Sequence, residues 1–211
     1  AVALTPLAPP LLFLAATSFW YLPRMGLRLV VFLGLAITGA GFICMRYLTL
    51  DSDYWGLAWP ILILTTGLGL TIAPTTTAIM SSIPDDKQGV GSAVNDTTRE
   101  IGAALGVAIM GSILSSQYSS AIEGSIAGLP PQAKELADTG VGRALQVAAR
   151  MPAGADQLAD AAKSAFMGGM GNAMWFAAIL LMVGAFVATR TFPAQAMSAQ
   201  SPDETGATGA P

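Results

Sequence analysis

"GSAVNDTTREIGAALG" (residues 91–106) decides how this chain is read. Asn95, Asp96, Thr97, Thr98, Arg99 and Glu100 follow one another inside a run that is otherwise glycine, alanine and aliphatic residues. Working outward, the flanks are apolar on the scale of whole membrane spans, and ionisable groups in hydrocarbon are costly enough to need a reason. Of the 211 residues, 53% are hydrophobic and 11% charged. A soluble domain carries about 25% charged residues.

A helix needs about 20 apolar residues to cross a hydrocarbon core of about 30 Å. Five segments meet that length, at roughly 2–21, 27–48, 54–81, 86–118 and 165–191. The expected fold is therefore an all-α, polytopic bundle of five transmembrane helices. The first span carries Pro6, Pro9 and Pro10, which predict a kinked start. Residues 119–164 are mixed in character and predict a loop with short amphipathic helices. Residues 192–211 are rich in Pro, Ala, Ser, Gly and Thr and predict a disordered tail. The chain begins at Ala1 with no basic n-region before its first apolar run, so the expectation is that it starts mid-protein.

The basic residues split between two faces. Arg24, Arg28, Lys87 and Arg190 fall on one, and Arg46, Lys134, Arg143, Arg150 and Lys163 on the other. The first set is concentrated in short turns, and this density assigns that face to the cytoplasm. The net charge of -3 gives no sign of a nucleic-acid partner. With no histidine and the single Cys44, ordinary zinc sites and Cys/His catalytic pairs are excluded.

The fourth span is longer than a bilayer needs, so its N-terminal turns protrude, with Asp96 near the surface and Arg99 and Glu100 a turn deeper. Asp96 and Arg99 are spaced i,i+3, and Asn95 and Arg99 i,i+4, so these pairs can meet on one side of a helix. Asp96 and Glu100 also set two carboxylates near one guanidinium, which suits a gating ion pair, a proton-binding site or a substrate contact. Asp85 with Gln88 resembles a capping box. Gly102 and Gly106 form a GxxxG that admits a close neighbouring helix. In the third span Pro74 frees a backbone carbonyl that Thr75, Thr76 and Thr77 can bond. With Gly67 and Gly69 that span reads as a moving part or as a static kink. Met167, Met170, Met174 and Met182 with Trp175 and Phe176 line the fifth span, as a promiscuous apolar pocket or as packing.

"GVGSAVNDTTREIGAALGVAIMGSIL" (89–114), preceded by "GLGLTIAPTTTAIMSSIPDDKQ" (67–88), resembles the C-terminal part of fourteen-helix drug:proton antiporters of the EmrB/QacA type, within the major facilitator superfamily. The match is densest from Gly67 to Tyr118. The resemblance implies that the five spans are the last five of fourteen, in the cytoplasmic membrane, with the tail inside and the long loop outside. It implies no cofactor, the proton gradient as energy source, and an amphipathic small molecule as substrate. Lipid, protons and the missing N-terminal helices of the same protein would be its partners, and this piece alone would not transport. Arg24, Gly26 and Arg28 fit the superfamily's cytoplasmic loop pattern, while Phe19 and Pro23 stand where glycine and aspartate would be. The alternative from another class is a non-transporting five-helix scaffold or assembly subunit. An enzyme is not expected.

Overall fold

The computed structural model describes residues 13, 14, 17–50, 52–151 and 153–191. Over these residues the chain is all-helical, with no strand. The helices are α1 (Ser18–Met25), α2 (Leu27–Arg46), α3 (Tyr54–Ser81), α4 (Gln88–Ile126), α5 (Pro131–Asp138), α6 (Val141–Ala148) and α7 (Ala155–Thr191). A 3-10 turn, Asp85–Lys87, leads into α4. Among the described residues, α2, α3, α4 with its leading turn, and α7 are long and apolar enough to cross a membrane. Most of the expected first span and the whole of the expected tail lie outside the described residues.

Glycine sets the turn between α1 and α2. Gly26 has φ 75°, a left-handed conformation that a side chain disfavours. Its N–H donates to the Leu22 carbonyl at 2.9 Å and closes α1.

α2 and α3 pack through backbone rather than through large side chains. A Cβ on Gly67 would fall on the Thr38 nitrogen and hydroxyl, and one on Gly41 would sit 2.8 Å from the Leu64 nitrogen. Buried Thr38 satisfies its hydroxyl on the Gly34 carbonyl at 2.8 Å. Lipid tails are as apolar as leucine, so helices in a bilayer associate by such close approach rather than by hydrophobic burial. In α3, Asp53 caps the N-terminus by accepting from Gly56 N at 3.1 Å. Pro60 and Pro74 are both buried. Thr75 bonds the Thr71 carbonyl at 2.6 Å and Thr77 the Ala73 carbonyl at 3.0 Å. Each thus takes the carbonyl four residues back, one turn behind it. The carbonyl that Pro74 leaves without its i+4 donor belongs to Leu70, which their register does not reach.

α7 lies between α2 and α4. It turns Gly171, Ala178 and Ala185 inward and leaves Ile179, Leu180, Val183, Phe186 and Val187 exposed. Small residues inside and large apolar ones outside is the pattern for a helix solvated by lipid.

The fourth and fifth spans run past the bounds read from hydropathy. α4 continues to Ile126, and α7 starts at Ala155. No proline interrupts 118–126, and Ile122 and Ile126, one turn apart, are fully buried with Leu158 and Ala162. α5 and α6 close over these ends through Ala137, Ala144 and Ala148. The Tyr118 hydroxyl donates to the Ala137 carbonyl at 3.0 Å, and Ser119 to the Asp138 carboxylate at 2.6 Å. The result is a four-helix cap with its own core.

Candidate functional site on α4

The packing fixes where the polar groups lie along the helices. Asn172 of α7 donates its Nδ2 to Gln117 Oε1 of α4 at 3.2 Å, and its Oδ1 accepts from Arg46 Nη1 of α2 at 3.5 Å. These three residues therefore share one level. From that level, Arg28 on α2, Arg99 on α4 and Arg190 on α7 each lie eighteen residues away. At 1.5 Å per residue the separation is about 27 Å, close to a hydrocarbon core of about 30 Å. Each helix thus carries a polar group at both edges of one apolar slab.

Aromatic rings accompany these edges. The Arg46 guanidinium lies 5.8 Å from the Trp175 ring centroid, and that of Arg190 lies 4.8 Å from Phe186. Arg24 stacks 4.5 Å from Trp20 and donates to the Trp20 carbonyl at 2.8 Å. Arg28 is exposed and borders a small cavity with Met25, Leu29, Phe32 and Thr189.

The polar run sits on α4 at the Arg99 edge. Glu100 follows Arg99, and Asp96 lies about one turn from Arg99 on the side away from Gln117. Asp96, Thr97, Thr98, Arg99 and Glu100 are exposed, and Asn95 is half-buried. Thr97 and Thr98 turn their hydroxyls back onto the Ala93 and Val94 carbonyls, at 2.7 and 2.8 Å. Asn95 donates to the neighbouring Asp96 carboxylate at 3.5 Å rather than to a group one turn on. Arg99 makes no ion pair with Asp96 or Glu100; among the described residues the ion pair present is Lys163–Asp160, at 3.4 Å. The physical reason is exposure: nothing covers this face, so water competes with any pairing of two long side chains.

The rest of this half of α4 is equally open. Beyond the adjoining backbone of α4 itself, a Cβ on Gly102, Gly106 or Gly111 would meet nothing within 4 Å, so the GxxxG has no partner helix within the described residues. Only 6% of the most apolar window of α4 is buried, against 28% to 33% in the other three long helices. Val90, Val94, Ile101, Leu105 and Val107 stand exposed around it. Gly67, by contrast, is spent on the α2 crossing, and Gly69 and Pro74 of the same helix are buried.

Asp85 accepts from the Gln88 amide at 2.9 Å, but it opens the 3-10 turn, and α4 starts from Lys87 without a side-chain cap. Among the described residues no group of three or more His, Cys, Asp or Glu could hold a metal ion. Arg46, Gln117 and Asn172 were not singled out as a set by reading the sequence. Their signal is the recurrent eighteen-residue interval between polar groups at the two ends of each apolar run.

No family model matches the chain. Individual proteins do. The multidrug efflux pump LfrA of Mycolicibacterium smegmatis is 32% identical over 155 residues, covering 73% of this chain and 31% of that protein. The methyl viologen resistance protein SmvA of Salmonella typhimurium is 34% identical over 149 residues, 68% of this chain and 29% of its own length. The tetracenomycin C resistance and export protein of Streptomyces glaucescens is 28% identical over 202 residues, 92% of this chain and 37% of its own. The chain thus spans about a third of the length of these relatives.

Proposed function

The chain belongs to the major-facilitator multidrug efflux pumps of the EmrB/QacA type, and from that premise we propose that it supplies the C-terminal helices of a proton-coupled exporter of amphipathic small molecules in the cytoplasmic membrane. The observation that carries the proposal is the bare half of α4. A membrane helix on which Gly102, Gly106, Gly111 and the charged run from Asp96 to Glu100 stand uncovered is built to face more protein or a water-filled path. The relatives are named as efflux or resistance proteins, and the match to this chain takes up 31% and 29% of their lengths, which leaves room for such a partner.

In this reading the second bundle of the complete protein rocks against α2, α3, α4 and α7 and opens a central path alternately to either side. Gly102 and Gly106 let one of its helices approach α4 closely. Asp96, Arg99 and Glu100 stand at the cytoplasmic end of the path. When the bundle closes over them, water leaves, and Asp96 and Glu100 compete for one guanidinium. In the proposal this cluster carries the coupled proton as the path opens and closes. Coupling follows when drug occupancy and protonation favour opposite states. Arg24, Gly26 and Arg28 form the tight cytoplasmic turn, and the cap over α4 and α7 lies outside. The chain works with protons, lipid, substrate and the remaining helices, without a cofactor and without catalysis.

The test is coupling. The complete protein is reconstituted in vesicles with an imposed pH gradient, and a lipophilic cationic dye is added. Protein-dependent collapse of the gradient on dye addition is expected. Dye transport that leaves the gradient intact and ignores a protonophore contradicts proton coupling.

A further inference from the structure

One stripe of α7 stands exposed beside α2: Trp175, Ile179, Met182, Val183 and Phe186. With Ile43 of α2 and Ala178 they line an open apolar groove of about 340 Å3, at the small end of ligand-sized cavities. Arg46 stands at one end of this groove, against Trp175. One of its N–H groups reaches Asn172, and a guanidinium has five to offer. Among the described residues no carboxylate pairs with it. A permanently charged fork with donors to spare therefore sits at the edge of the apolar slab, at the mouth of a hydrocarbon-lined trough. Guanidinium geometry matches phosphate oxygens, and basic sites beside membrane helices attract anionic headgroups.

We propose that this groove is a binding site for one anionic phospholipid, with its phosphate on Arg46 and one acyl chain along Ile43, Ile179, Met182, Val183 and Phe186. Charge complementarity selects an anionic lipid over a zwitterionic one, and the groove selects a lipid over a free anion. The site depends on α2 and α7 spanning the membrane and is independent of whether the protein exports drugs.

The experiment uses the complete protein that carries this segment, purified in detergent and titrated with dioleoyl phosphatidylglycerol or dioleoyl phosphatidylcholine under native mass spectrometry. One saturable site is expected, preferring the glycerol lipid about fivefold, the equivalent of about 1 kcal/mol for a single cation near an anionic surface. Arg46→Gln removes the preference and Arg46→Lys retains part of it. Val183→Trp fills the groove and weakens both lipids several-fold. Equal binding of the two lipids by the native protein, or a preference that survives Arg46→Gln, overturns the proposal. So does displacement of the lipid by inorganic phosphate, which would mark a site for a small anion. If Arg46→Gln does not yield a monodisperse protein, Val183→Trp decides alone: unchanged lipid affinity in that variant is equally contrary.

Discussion

Asn172 and Gln117 meet at 3.2 Å across the α4–α7 seam, and this amide pair sets the level from which the membrane edges are measured. Arg46 joins it from α2 at 3.5 Å. All three residues are exposed at the edge of the apolar slab, where water can replace either bond. Interhelical hydrogen bonds in membrane proteins average about 0.6 kcal/mol. Asn172→Ala and Gln117→Ala in the complete protein are each expected to cost under about 1 kcal/mol, with a coupling of about 0.6 kcal/mol in the double-mutant cycle. Reversible unfolding in detergent measures it. A coupling of zero would mean that the pair does not form.

The crossing of α2 and α3 tolerates no side chain at position 67. Gly67→Ala drives a methyl into the Thr38 backbone and is expected to destabilise by about 1–3 kcal/mol. Within these helices Gly102→Ala meets nothing and costs nothing. Paired thermal midpoints of the two variants check this. Any loss seen with Gly102→Ala in the complete protein would come from a helix supplied by the rest of that protein, and crosslinking from position 102 would identify it.

The cap has a separate core. Ile122→Ala is expected to cost about 2–5 kcal/mol, and Tyr118→Phe about 1 kcal/mol through its lost bond to the Ala137 carbonyl. Hydrogen exchange should accelerate across 119–164 and leave α2 and α3 unchanged. Acceleration of the whole chain would show that the cap and the membrane helices unfold as one unit.

The membrane character of this fold was legible because hydropathy acts over whole spans, and α2 and α3 fall close to the bounds read from it. The ends of α4 and α7 were not legible. They extend as helix because Ile122, Ile126 and Leu158 bury one another, a tertiary gain that no window average contains. The run from Asn95 to Glu100 was conspicuous by composition alone. Its pairing was not, since i,i+3 and i,i+4 spacing brings side chains within reach but does not remove the water that competes for them. For the threonines after Pro74, residue type pointed to backbone bonding, and the helical register decided which carbonyls they take. The trio Arg46, Gln117 and Asn172 was hidden for another reason: three helices must be aligned before their common level exists.

In the proposed exporter the polar run of α4 takes part in transport. The most direct measurement is efflux of a fluorescent lipophilic cation from energised cells carrying the complete protein with Asp96→Asn or Arg99→Ala, with membrane abundance measured alongside. Exposed in this chain, neither residue holds the described helices together, so abundance should persist while efflux falls several-fold or more toward the empty-vector rate. Efflux at the unaltered rate in both variants would contradict the account and reduce the run to a solvated helix end.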